Sequence, residues 1–145
     1  VSYDLDQQQA SGHDQDLRAA LQAAGLPIDD LEQTGRVFFR FADQGRIVGF
    51  GGLEPYGGCA LLRSVVVLPD QRGRGYDEAI SRRLLNEAGR GGARTVYLLT
   101  EGAAAFFEHL GFGKVNCATA PAVILQTRQA ASLCPASAGL FAKSI

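Results

Sequence analysis

The sequence predicts an α/β fold, a mixed β-sheet flanked by helices, and three observations carry that reading. Aromatic and β-branched runs separated by tight-turn signals fill the first half. A strand, a loop of glycine and arginine, a helix and a second strand follow between Cys59 and Thr100. Glycine is abundant, 18 of 145 residues, and bunches between positions 45 and 113. Hairpins joined to a strand–helix–strand unit bury their apolar faces most simply in one sheet. The length suits a single domain spanning residues 1–145.

The opening Val1-Ser2-Tyr3-Asp4-Leu5 alternates weakly and reads as an edge strand. Asp14 is a candidate N-cap for a helix carrying Leu17, Ala20, Leu21 and Ala24 on one stripe, closed by Gly25 and Pro27. Ile28 to Gln33 adds a short turn. Arg36 to Ala42 is too aromatic and β-branched for a surface helix, and with Arg46 to Leu53 it forms a hairpin about Asp43-Gln44-Gly45. Gly57-Gly58 turns the chain into Cys59 to Leu68, whose end Val65-Val66-Val67-Leu68 is a buried-strand run stopped by Pro69. Ile80, Leu84 and Ala88 then mark an amphipathic helix, supported by the Glu78 to Arg82 pair and ended by Gly89 to Gly92. Thr95 to Thr100 is a buried strand and Ala103 to Leu110 a short helix closed by Gly111. A strand from Lys114, a small helix after Pro121 and a last strand near Ala138 to Lys143 complete the chain.

Charge and cysteine usage narrow the function. The formal net charge is −1, which gives no support to a nucleic-acid-binding arm or a polybasic membrane patch. No apolar run approaches the roughly 18–20 residues of a membrane span, and the first residues lack a signal-peptide pattern. Cys59, Cys117 and Cys134 are far apart, no CxxC occurs, and His13 and His109 stand alone. Zinc or another structural metal is not expected; the thiols read as idle groups in a cytoplasmic protein.

The chemistry concentrates in Val65-Val66-Val67-Leu68-Pro69-Asp70-Gln71-Arg72-Gly73-Arg74-Gly75-Tyr76. A buried strand runs into a Gly/Arg loop that opens a helix. Glycines let the backbone approach a ligand, the first N–H groups of a helix converge on an anion, and arginines suit phosphate oxygens. The dinucleotide and Walker patterns are both absent. A glycine turn carrying two solvated arginines is the plainer alternative.

Here the sequence resembles the GCN5-related N-acetyltransferases. Arg72-Gly73-Arg74-Gly75-Tyr76 is similar to that family's coenzyme A pyrophosphate loop, and Leu62 to Leu68 to its splayed strand. Ala105-Phe106-Phe107-Glu108-His109-Leu110-Gly111-Phe112 resembles a later family block. The resemblance covers the whole chain. It implies a V-splayed mixed sheet of about six or seven strands and acetyl-CoA as co-substrate. Val65, Val66 and Val67 would then hold the pantetheine arm and polarise the thioester, Arg72, Gly73, Arg74, Gly75 and Tyr76 would grip the pyrophosphate, and Phe106 would border the cofactor. Gly51-Gly52-Leu53-Glu54, Leu98-Leu99-Thr100-Glu101 and Ser132-Leu133-Cys134-Pro135-Ala136-Ser137-Ala138 look like the arsenic-resistance-associated branch. Two departures stand out. Asp77 occupies a position where the family pattern has Gly or Ala, and Phe107 one where many relatives carry a proton-donating tyrosine.

The resemblance makes Glu54 the candidate general base, with Glu101 and Tyr56 as further catalytic candidates. Glu101 alternatively caps the following helix, and Tyr56 alternatively packs in its turn. Arg40, Arg63 and Ser64 are candidates for binding substrate; solvated or salt-bridged arginines and a backbone-bonded hydroxyl are the plainer readings. The function expected is acetyl-CoA-dependent N-acetylation of a small amine, amino-acid-like or toxic, by direct transfer. A non-catalytic acyl-CoA or metabolite module and a protein-amine acetyltransferase remain alternatives, and a homodimer is compatible with either.

Overall fold

The computed structural model describes residues 3–100, 102–127 and 139–145. These fall into two compact units. The first comprises Val1–Glu54 and Leu62–Glu87, the second Pro55–Leu61 and Ala88–Ile145. Strands β3 (Arg46–Tyr56) and β4 (Cys59–Val67) and helix α2 (Tyr76–Arg90) each run from one unit into the other.

The first unit begins with β1 (Asp6–Ala10), α1 (Gln15–Ala23) and β2 (Val37–Asp43). The edge strand expected at residues 1–5 lies later, at Asp6–Ala10. Its Asp-Gln-Gln-Gln-Ala sequence is largely exposed and shows no apolar alternation, because pairing with β2 rather than burial holds it in place. Asp14 does cap α1, its carboxylate accepting from the Leu17 N–H at 3.1 Å. Leu17 and Leu21 on that helix join Leu31, Phe38, Phe50 and Val66 in the core of this unit. The β2–β3 hairpin has the expected turn, and β3 continues past Leu53 to Tyr56. Helix α2 packs closely on β3 because residue 51 is glycine; a Cβ there would lie 2.4 Å from Leu84 Cδ1.

The second unit holds β5 (Thr95–Thr100), α3 (Ala104–His109), β6 (Gly113–Val115), α4 (Ala122–Leu125) and β7 (Gly139–Ser144). Leu61, Ile124 and Leu140 form its core. Seven strands are hydrogen-bonded in the order β1-β2-β3-β4-β5-β7-β6, the mixed α/β sheet that the sequence predicts. Strand β5 runs parallel to β4, with a ladder covering only Cys59–Leu61 against Thr95–Tyr97, and antiparallel to β7. Cys59 is a free thiol whose pKa burial pushes up. Cys117 is disulfide-bonded, which corrects the expectation of idle thiols; separation along the chain says nothing about which thiols meet. Cys134 lies outside the described residues. No described helix is long and apolar enough to cross a membrane.

Candidate active site

The Gly/Arg loop leaves β4 and enters α2 as the sequence predicts. Gly73 and Gly75 have φ of 78° and 84°, a left-handed conformation that costs glycine nothing and other residues strain. Nothing lies within 4 Å of where a Gly73 Cβ would stand, so the loop is open on that side. The Arg72 and Arg74 side chains are exposed, and among the described residues no carboxylate pairs with either. Arg72 Nε donates to the Val67 carbonyl at 3.3 Å, and the Arg74 carbonyl accepts from Tyr3 Oη. Tyr76 is buried, its ring 4.5 Å from that of Tyr3 and its hydroxyl donating to Asp43 at 2.6 Å. That bond to Asp43 holds the Tyr76 phenol above its ordinary pKa. Asp77 is exposed, and its carboxylate accepts from the Glu78 N–H at 2.8 Å, consuming one donor of the helix terminus.

The run Val65 to Val67 alternates, with Val66 buried and its neighbours half-buried. Just before it, Ser64 sits inside the strand with φ of 61°. A left-handed non-glycine residue carries about 1–3 kcal/mol of strain and breaks the alternation of N–H directions along a strand. Val66's carbonyl in turn comes so close to β3 that a Cβ on Gly49 would be 2.2 Å away.

Behind this kink lies a buried cluster of charges. Arg63 Nη1 and Nη2 hold the Asp30 carboxylate at 2.6 and 2.7 Å in a two-point pair, Nη1 reaches Glu54 at 2.8 Å, and Nε reaches Ser64 Oγ at 3.2 Å. Arg36 adds longer contacts, 3.3 Å to Asp30 and 3.9 Å to Glu54. Asp30, Glu54 and Arg63 are 2%, 0% and 3% exposed. Two guanidiniums and two carboxylates cancel formally, which is what makes their burial tolerable. Burial pushes the Asp30 carboxyl up, but the hydrogen bonds and charge of Arg63, with Arg36 behind, outweigh it and leave the pKa below its ordinary value. Burial likewise works against Arg63's charge, and Asp30 and Glu54 reverse the effect.

This cluster bears on two expectations. Glu54 is closed to solvent, its Oε2 accepting from Arg63 and its Oε1 lying 3.9 Å from Arg36. Arg63 makes four hydrogen bonds within the cluster, so four of its five N–H groups are engaged there. Asp30 was not singled out by the sequence, although an arginine within the apolar Leu61 to Val67 run requires a buried counter-charge. Arg40 lies apart from the cluster in contacts, paired with Asp14 at 2.6 Å beside an open cleft lined by Asp6, Gln7, Gln8 and Ile47.

In the second unit, Tyr56 packs against the Leu61, Ile124 and Leu140 core, as its plainer reading has it. Phe106 is half-buried on α3, its ring 4.9 Å from that of Phe107, which meets Phe112 edge-on. Glu101 lies outside the described residues. Among the described residues no cluster of His, Cys, Asp or Glu could hold a metal ion.

A mixed sheet with a glycine loop between its fourth strand and the next helix places a helix N-terminus where backbone N–H groups can face an anion. Residues 34–114 match the acetyltransferase (GNAT) domain model, and the chain belongs to that family of acetyltransferases. No curated protein matches the chain. Among solved structures it is similar to N-acetylglutamate synthase from Neisseria gonorrhoeae complexed with coenzyme A and N-acetyl-glutamate, with a TM-score of 0.75 at 14% identity over 96% of this chain and 35% of that one. The chain thus spans about a third of that enzyme's length. An acetyltransferase from Streptococcus agalactiae gives a TM-score of 0.76 at 14% identity, over 97% of this chain and 98% of that one. A Mycobacterium tuberculosis protein in complex with CoA gives 0.70 at 19%, over 97% and 99%.

Proposed function

We propose that residues 1–145 act as one acetyltransferase domain that transfers the acetyl group of acetyl-CoA to the amine of a small, amino-acid-like molecule. The observation that carries this reading is the open loop Arg72 to Tyr76 at the start of α2, with two exposed arginines that no carboxylate pairs with among the described residues and two left-handed glycines. Its geometry fits a pyrophosphate, and the strand leading into it offers backbone groups at Val65 to Val67 for the pantetheine arm. Acetyl-CoA supplies an activated acyl group, which the neutral amine takes with loss of the CoA thiolate. With Glu54 and Arg63 committed to the buried cluster, proton removal from the amine falls to Glu101 or to solvent, and Tyr56 is a further candidate donor to the thiolate. Phe107 has no proton to give. The resemblance at Gly51 to Glu54, Leu98 to Glu101 and Ser132 to Ala138 supports placing the chain in the arsenic-resistance-associated branch, without identifying the amine.

The test is release of CoA thiol from acetyl-CoA with a panel of amino acids and amino-acid-like toxins, with isothermal titration of acetyl-CoA alongside. Amine-dependent thiol release supports the reading; absence of acetyl-CoA binding overturns it. A second reading, an acyl-CoA-binding module without turnover, is favoured by Asp77 on the α2 terminus and by Phe107. Tight binding without thiol release for any amine would select it.

A further inference from the structure

Two non-glycine residues among those described have left-handed φ: Gln44, in the β2–β3 turn, and Ser64, inside β4. A turn accommodates such a conformer readily, whereas an extended strand offers serine an unstrained alternative, so something else must hold Ser64. Its hydroxyl is engaged by Arg63 Nε. The Arg63 guanidinium cannot follow a relaxing strand, because Asp30 grips it at two points, Glu54 at a third, and the Phe38 ring lies 5.7 Å from its central carbon. Beyond the kink, the Val66 carbonyl occupies space that only a glycine at position 49 leaves open.

We propose that Asp30, Arg63 and Glu54 form a clamp that holds Ser64 in its left-handed conformation and thereby sets the backbone of Val65 to Val67 for the acyl carrier. This rests on the acetyltransferase reading above, and it makes Arg63 a positioning residue acting through Ser64 rather than a ligand of substrate. The gain is in placement: backbone donors aid acyl transfer only where developing charge will appear, and a small misplacement is costly in rate.

Two substitutions separate this from direct contact. Ser64→Ala removes the hydroxyl and keeps the steric cost of a left-handed residue, while Ser64→Gly removes the hydroxyl and adopts that conformation freely. Ser64→Ala is expected to lower kcat roughly tenfold or more with little change in the amine KM. Ser64→Gly is expected to recover most of that loss. In isotope-labelled free protein, the amide and Cα resonances of Val65 to Val67 should move in Ser64→Ala and stay near their wild-type positions in Ser64→Gly. Equal behaviour of the two variants overturns the clamp: both impaired means that the hydroxyl contacts substrate or carrier, and both unimpaired means that the strand holds itself. Should wild-type protein bind no acetyl-CoA, the functional reading fails, and the resonances still decide the clamp.

Discussion

Replacing Glu54 by glutamine isolates one negative charge at almost constant shape. In the folded protein Glu54 is wholly buried and 2.8 Å from Arg63, with Arg36 3.9 Å away. The substitution leaves two guanidiniums facing Asp30 alone, a net positive charge in a site without solvent. Breaking a buried ion pair by removing one partner costs about 3–5 kcal/mol, and the glutamine carbonyl can still accept the Arg63 N–H, which points to the lower end, about 3 kcal/mol. For a chain of this size each kcal/mol moves Tm by about 3 °C, so a fall of roughly 10 °C is expected. Thermal unfolding followed by circular dichroism reads this directly, with acetyl transfer measured in parallel below the transition. A residue serving as general base leaves Tm hardly moved while kcat falls by about 10²–10⁴-fold, well beyond the roughly tenfold loss expected from a loosened clamp. That second pattern would refute the structural assignment and return Glu54 to the proton route.

Three further outcomes follow from the loop and the cluster. Replacing Arg72 and Arg74 together with alanine should weaken acetyl-CoA binding by about tenfold or more at low salt, since hydrogen bonds to charged groups contribute about 1.5–3 kcal/mol; calorimetry at two ionic strengths should show the difference shrinking in high salt. Asp77→Gly removes a negative charge from the α2 terminus and frees the Glu78 N–H, so acetyl-CoA should bind tighter by about 1 kcal/mol, roughly fivefold, with slightly lower helix stability. Equal affinities would place that carboxylate out of range of the ligand. Asp30 titrates below the ordinary aspartate value when folded, the effect of burial being outweighed by Arg63 and Arg36, so the unfolded chain takes up this proton first as pH falls. Its stabilisation is complete above the ordinary aspartate pKa and is lost as pH drops through the lower folded pKa; denaturant titrations across that range should show a smaller acid dependence in Asp30→Asn.

How much of this was legible in the sequence depended on whether the signal was local. The cap at Asp14, the hairpin turn at Gln44-Gly45 and the loop glycines each act within a few residues, and each is where the sequence places it. Strand β1 was misplaced because its residues are polar and exposed, held by a ladder to β2 thirty residues away rather than by an apolar face. Asp77 and Phe107 were visible as departures, and the structure shows one carboxylate on a helix terminus and one ring packed among rings.

The surroundings of Glu54 and Arg63 turn on a residue that no pattern marks. Position 30 lies in a turn between α1 and β2, where acids are ordinarily solvated, and only the fold carries it to the back of β4, 33 residues further along the chain. Once there, it changes the chemistry of both partners. Without Asp30, Arg63 would need an outside anion, and a substrate carboxylate would be the natural one. With it, four of the five guanidinium N–H groups are engaged, Glu54 becomes part of a neutral buried set, and Nε is directed to Ser64. A charge in a strand therefore announces that a partner exists, while the identity of that partner decides between binding, proton transfer and the holding of a backbone.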